Sequence, residues 1–111
     1  MNRVTLLGRI GRDPELKSSG LCVFSVATHE RERREEGVVE HTEWHHVVTF
    51  GRLAEVVAEY VGKGEQVLVE GKLRLRKWEH EGKAYYRTEV VASSVEFLGG
   101  RRAAPAEDLP F

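Results

Sequence analysis

The sequence predicts an all-β domain: a five-stranded barrel with one short helix between the third and fourth strands. Residues 65–78 alternate apolar and polar side chains over their whole length, which is the clearest strand pattern in the chain. Residues 53–61 space their apolar side chains as one face of a helix does. The predicted order is strand, strand, strand, helix, strand, strand, and no segment repeats.

Length and composition indicate one globular domain over residues 1–100, followed by a short tail over 101–111. The chain has 111 residues, of which 41% are hydrophobic and 32% charged. Its single cysteine, Cys22, excludes an intrachain disulfide and a cysteine zinc cluster, which fits a reducing compartment. We expect neither a membrane span nor a signal peptide, because every apolar run is short. The formal net charge of −1 indicates no overall basic character, so any nucleic-acid interface must be local.

The first two strands are predicted over Asn2–Ile10 and Leu21–Thr28. Gly8 lies within the first of them and Gly11 directly follows it, as glycines do where a barrel strand coils or bulges. Turn residues separate the two strands, first Asp-Pro and then Ser-Ser-Gly. The second segment is a short β-rich run, and we expect it to be buried with Cys22 as a small apolar side chain.

The third strand, Thr42–Gly51, is preceded by a strongly acidic segment. Glu30–Glu43 contains six glutamates and three arginines around Gly37. We expect a mobile hairpin loop there, with strand ends on both sides.

The helix is predicted over Leu53–Val61 and ends before Gly62, a residue typical of helix C-termini. The fourth strand, Glu65–Trp78, reaches a hairpin tip at residues 80–83, and Ala84–Leu98 returns as the fifth strand. This order is typical of the OB-fold barrel. An antiparallel sandwich with an additional helix is the alternative architecture, but the glycines of the first strand and the position of the helix favour the barrel.

The fourth strand presents Lys72, Arg74, Arg76 and Trp78 on one face. Cations neutralise phosphates and an aromatic ring stacks on a base, so this pattern predicts contact with a single-stranded nucleic acid. A solvated strand face capped by a tryptophan explains the same residues equally well when they are considered alone.

The third strand places Trp44, His46, Val48 and Phe50 on one face, and His45, Val47 and Thr49 on the other. A barrel strand buries one face only. The two aromatic side chains therefore belong either to the core or to a stacking platform, and the pattern alone does not separate these alternatives.

No catalytic or metal site is predicted. His41, Glu43 and His45 share one strand face, but same-face neighbours on a strand lie about 7 Å apart and no cysteine is near, which disfavours metal binding. The sequence contains no nucleophile or phosphate-loop motif.

The last five residues, Glu107, Asp108, Leu109, Pro110 and Phe111, combine two acids with an apolar end. Such an end on a flexible tail can dock in a pocket with basic residues around it. The pattern alone favours an unselected tail end.

The chain resembles the bacterial single-stranded DNA-binding proteins from Asn2 to about Gly100. The stretches that carry this resemblance are NRVTLLGRIGRDPE (2–15), TEWHHVVTFGRLAE (42–55), YVGKG (60–64) and VEGKLRLRKW (69–78). The resemblance implies base stacking by Trp44, Phe50 and Trp78, a subunit-interface role for His45, and a homotetramer. It also implies that the C-terminal tip docks replication, recombination and repair proteins.

Three features depart from that family's pattern. Glu32 stands where many members have a further stacking tryptophan, and His46 stands where arginine is common. Only 11 residues follow Gly100, far fewer than the usual linker. These departures suggest a smaller DNA footprint and a limited reach towards partners, as in a DNA-uptake paralogue or a phage-encoded version.

The expected function is binding and protection of single-stranded DNA without base specificity, with no chemistry and no cofactor. A primosome-type or RNA-binding scaffold, and an enzyme that uses the histidine cluster, are the alternatives. We expect a cytoplasmic, nucleoid-associated protein. The cations expected to contact phosphate are Arg3, Arg9, Lys72, Arg74, Arg76 and Arg87.

Overall fold

A computed structural model describes residues 1–99 of the chain. Its elements in order are β1 (Val4–Ile10), β2 (Glu15–Leu16), β3 (Leu21–Arg34), β4 (Gly37–Phe50), α1 (Gly51–Tyr60), β5 (Gln66–His80) and β6 (Lys83–Gly99). The five long strands are the predicted ones, and β2 is an additional strand of two residues. No helix among residues 1–99 has the length and apolar character needed to span a membrane.

The five long strands close into a barrel in the order β1, β5, β6, β4, β3. Closure comes from β1, which pairs with β5 along most of its length and with β3 at Arg9 and Ile10. The β4–β6 pair is parallel, and the remaining pairs are antiparallel. A strand paired on both sides in this way joins the two halves of the sheet, so the OB-fold prediction is confirmed and the sandwich is excluded.

The barrel core is apolar, and α1 packs against it through Ala54 and Val57. The thiol of Cys22 is fully buried, as predicted, and burial raises its pKa. The hydroxyl of Thr49, also fully buried, donates a 2.9 Å hydrogen bond to the carbonyl of Cys22. The core residues with no exposed area are Cys22, Val26, Val47, Ala54, Val57, Val67 and Val69.

Gly8 lies where β1 crosses β3 to close the barrel. A Cβ atom at this position would overlap the backbone carbonyl of Ala27. The glycine that interrupts the first predicted strand therefore permits the close approach of two backbones.

The helix differs from its prediction in two details. It buries Ala54 and Val57 against the core, whereas Tyr60, which was predicted on the buried face, is 62% exposed. It also ends at Tyr60, and Val61 follows in an extended conformation, so Gly62 does not act as the cap. The apolar spacing indicated the helix correctly, but it missed Ala54, whose small side chain is fully buried.

A hairpin is present at Glu30–Glu43, as predicted, but this segment, which we call the acidic arm, consists of paired strands rather than a loop. β3 and β4 stay paired in register as far as Arg34 and Gly37, and the turn has two residues. An ion pair and a hydrogen bond hold the two strands together: Arg31 Nε lies 3.2 Å from Glu40, and His41 Nε2 lies 3.0 Å from Glu32. Opposite charges on facing strands offset the low β propensity of a charged sequence.

The outer half of the β5–β6 hairpin, residues 72–91, forms a second projection that we call the basic arm. It begins at a bulge beside Gly71, where the hydroxyl of Ser93 donates to the carbonyl of Glu70 at 3.1 Å. Its turn lies at Glu81 and Gly82, within the predicted tip, and both residues have positive φ (52° and 78°), as a type I′ turn requires. At its base Val90 still belongs to the barrel core and pairs with Val47 of β4. Further out the arm leaves the barrel, and Leu73 and Leu75 on β5 are exposed.

Candidate nucleic-acid interface

β4 turns its aromatic side chains away from the barrel core. Val47 and Thr49 point inwards and are fully buried, whereas Trp44 is 62% exposed and Phe50 is 45% exposed. Of the two alternatives that the alternation left open, the structure therefore places the aromatic residues outside. Exposed rings on a rigid strand can stack on other planar groups.

Trp44 packs against the backbone of Gly11. A Cβ atom at position 11 would overlap the indole ring, so the missing side chain makes room for the tryptophan. The ring forms one wall of an open groove lined by Gly11, Arg12, Ser25, Trp44 and His46. Arg12 is exposed at this groove and was not among the predicted contacts.

The basic arm continues this surface beyond Phe50. The guanidinium of Arg74 lies 5.8 Å from the centre of the Phe50 ring. Further along the arm, Trp78 stacks on Tyr85 with 5.7 Å between ring centres and an angle of 19°. The guanidinium carbons of Arg76 and Arg87 lie 5.1 and 5.3 Å from the centre of the Trp78 ring. Cations and aromatic rings thus alternate along one continuous surface.

A buried carboxylate lies at the centre of these cations. Glu89 is 1% exposed and faces Arg74 across the β5–β6 ladder, with 3.1 Å between their nearest charged atoms. Arg76 and Arg87 approach its other oxygen at 3.8 and 4.0 Å. Sequence reasoning missed Glu89, although the hairpin register, once the tip is known, places it opposite Arg74.

His46 joins this cluster from β4. Its Nε2 lies 3.9 Å from the carboxylate of Glu89. Burial lowers the pKa of His46, and the positive charge of Arg87 lowers it further, while Glu89 partly opposes both effects. His46 is therefore neutral at pH 7. We call the whole surface the aromatic-arginine face; its members are Trp44, His46, Phe50, Arg74, Arg76, Trp78, Tyr85, Arg87 and Glu89.

The other predicted phosphate contacts lie in different surroundings. Lys72 is exposed and has the same strand parity as Arg74 and Arg76. Arg3 is exposed but pairs with Glu70 at 2.9 Å, outside the aromatic-arginine face. Arg9 is only 7% exposed and donates to the carbonyl of Gly64 at 3.0 Å. A buried guanidinium engaged in this way does not reach a bound strand, so we drop Arg9 from the phosphate contacts.

The histidine cluster of the sequence is divided among separate partners. His41 pairs with Glu32 on the acidic arm, and His45 Nε2 lies 2.7 Å from the hydroxyl of Thr28. Across residues 1–99 there is no group of three His, Cys, Asp or Glu side chains that could hold a metal ion. The interface role of His45 stays a prediction, and the tip residues 107–111 lie outside the described residues.

Comparison with known proteins gives both family and fold. Residues 1–98 match the model of the single-strand binding protein family. A Plasmodium falciparum SSB, solved in complex with single-stranded DNA, is 30% identical with a TM-score of 0.80 over 88% of this chain and 95% of that one. A small single-stranded DNA-binding protein from Streptomyces coelicolor shares the fold at 21% identity and a TM-score of 0.66, over 86% of this chain and 92% of its own.

Proposed function

The chain belongs to the single-strand binding protein family, and from this premise we propose that it binds single-stranded DNA through the aromatic-arginine face. The observation that carries the proposal is the exposure of Trp44 and Phe50 outside the barrel, on a surface continuous with three arginines. The solved complex of the related Plasmodium falciparum protein with single-stranded DNA supports the same ligand.

The chemistry of the face favours binding without base specificity. Every base offers a planar surface to an aromatic ring, and every nucleotide offers a phosphate to an arginine. In a duplex the planar surfaces are covered by neighbouring bases, so the rings gain nothing from double-stranded DNA. The effect of binding is to hold a strand unpaired and shielded, as replication, recombination and repair require.

Tryptophan fluorescence tests this proposal directly, because both tryptophans of the chain lie on the face. Long oligothymidine should quench the emission, and the affinity should fall as salt rises. A duplex of the same length is the control and should compete poorly. Duplex binding as tight as single-strand binding would contradict the proposal, and equal affinity for RNA would favour the RNA-binding scaffold instead.

We also propose that the protein assembles into a homotetramer, with His45 at a subunit interface. The support is the family resemblance, together with exposed apolar side chains on the barrel strands, of which Leu7 on β1 is 55% exposed. Sedimentation equilibrium of the purified protein checks this assembly. A monomer at micromolar concentration would contradict it.

Partner recruitment is proposed for the C-terminal tip. Glu107 and Asp108 followed by Leu109–Phe111 offer two charges and an apolar end to a basic pocket. Deleting residues 109–111 should leave affinity for DNA nearly unchanged and remove replication and repair proteins from a pull-down of a bacterial lysate. Identical partner sets for the intact and truncated proteins would contradict the docking role. We also propose a cytoplasmic, nucleoid-associated location, because single-stranded DNA is the expected ligand.

A further inference from the structure

We propose that Glu89 is an internal counter-anion of the aromatic-arginine face: it aligns Arg74, Arg76 and Arg87, and it limits the net charge that they present to phosphates to two. The proposal rests on the proposed function, since it concerns how that face binds a single strand. It assigns a role in binding to a side chain that, being buried, need not touch the DNA.

The geometry indicates that one carboxylate serves all three arginines. The side chain of Glu89 is 2% exposed, whereas those of the three arginines are 42–50% exposed, so the anion lies beneath the cations. Arg74 approaches one carboxylate oxygen, and Arg76 and Arg87 approach the other. Within residues 1–99 none of these arginines forms an ion pair with a different carboxylate.

The burial of Glu89 explains why its carboxylate needs the neighbouring arginines. An ionised carboxylate removed from water is strongly unfavourable unless cations and hydrogen bonds compensate it. Arg74 supplies a hydrogen bond, and the other two guanidinium groups supply positive charge. In return the carboxylate offsets the mutual repulsion of three close cations and keeps them together on one face.

The carboxylate also changes the charge that DNA meets. His46, the fourth neighbour, is neutral at pH 7, so the cluster consists of three positive charges and one negative charge. The salt dependence of binding reports this number, because each phosphate that is neutralised releases a counterion. For single strands the slope of log K against log salt changes by about 0.7 for each cation that is gained or lost.

Glu89→Gln is the deciding variant. It keeps the size of the side chain and an oxygen that can accept from Arg74, but it removes the negative charge. We expect the slope of log K against log salt for oligothymidine to become steeper by about 0.7. The affinity of the variant at 0.1 M salt should then be about five-fold higher than that of the wild type, and the two affinities should become equal near 1 M salt. The melting temperature should fall, because the arginines then repel one another without compensation.

Three further variants separate local charge from other effects. Glu55→Gln removes the same charge from α1, where Glu55 pairs with Arg52, and should leave the slope unchanged. Arg87→Gln should make the slope shallower by about 0.7. The double variant Glu89→Gln/Arg87→Gln has the wild-type net charge on the face and should return to the wild-type slope.

The outcomes distinguish this inference from the function beneath it. A wild-type protein that does not bind single strands would overturn the proposed function. Normal wild-type binding combined with an unchanged slope in Glu89→Gln would overturn only the role of Glu89. If Glu89→Gln does not fold, the double variant decides: a folded protein with the wild-type slope supports the proposal, and an unfolded one shows that Glu89 serves the fold alone.

Discussion

The two arms that project from the barrel have opposite charge balances. The acidic arm has six acidic and three basic side chains, whereas residues 72–91 of the basic arm have six basic and three acidic ones. In the acidic arm, Arg31 and Arg34 each have a carboxylate within 3.2 Å. In the basic arm, three arginines share the single carboxylate of Glu89. The number of arginines is equal, so we expect the arm with fewer nearby carboxylates, the basic arm, to be the one that attracts phosphates.

The arms also differ in aromatic content. Residues 30–43 contain no Phe, Trp or Tyr, whereas the basic arm carries Trp78, Tyr85 and Tyr86. Arginines that lie over an aromatic ring are held near it, and the ring itself offers a surface to a base. The comparison leads us to expect that an arm binds a single strand where an excess of positive charge and aromatic rings occur together.

The largest effect is expected from removing the two indole rings of the aromatic-arginine face, a kind of side chain that the acidic arm lacks. Trp44→Ala combined with Trp78→Ala should weaken oligothymidine binding by about 2–6 kcal/mol, since each stacked base contributes about 1–3 kcal/mol. Because the variant has no tryptophan, fluorescence anisotropy of a labelled oligonucleotide is the measurement. Tyr86→Ala is the control: Tyr86 is 61% exposed and belongs to the opposite face of the same arm. An equal loss in that control would break the comparison.

A smaller effect is expected from matched charge removal in the two arms. Arg76→Gln/Arg87→Gln should weaken binding about 25-fold at 0.1 M salt and make the salt slope shallower by about 1.4, as expected for two lost cations. Arg31→Gln/Arg33→Gln changes the total charge equally but should leave the affinity close to the wild-type value. Similar losses in both variants would mean that net charge, not its position, controls binding.

A still smaller loss is expected at Gly11. Gly11→Ala should displace the Trp44 ring, because the added methyl group overlaps it, and should lower the affinity several-fold without unfolding the barrel. Anisotropy titration measures the loss. In a Trp44→Ala background the same change should have no further effect, and an additive loss would show that Gly11 does not act through Trp44.

The smallest effect is expected from His46, and it depends on pH. Because the pKa of His46 is lowered in the folded protein, the unfolded chain binds the proton more readily once the pH falls below about 6.5. As the pH falls below this value, the free energy of unfolding should therefore decrease more for the wild type than for His46→Gln. Above pH 8 the unfolding free energies of the two proteins should no longer depend differently on pH. Urea unfolding across this range is the test. A difference that grows as the pH rises would have the wrong sign.

Much of the fold could be predicted from local patterns. Alternation gave β5 to within two residues, the helical spacing gave α1, and the tip at residues 80–83 contains the observed turn. The pattern predicted a loop instead of paired strands in the acidic arm because charged residues have low β propensity. Their cross-strand partners become apparent only when the register is known.

For the site, the sequence by itself determined which residue types are present and which of them share a strand face. Only the tertiary structure decided which face of β4 the barrel encloses, that Arg9 is buried, and that Glu89 lies beneath three arginines. The physical reason is that a period of two fixes which side chains of one strand point in the same direction, but not which direction faces the core. The inside is defined when β1 pairs with both β5 and β3, through contacts between residues far apart in the chain.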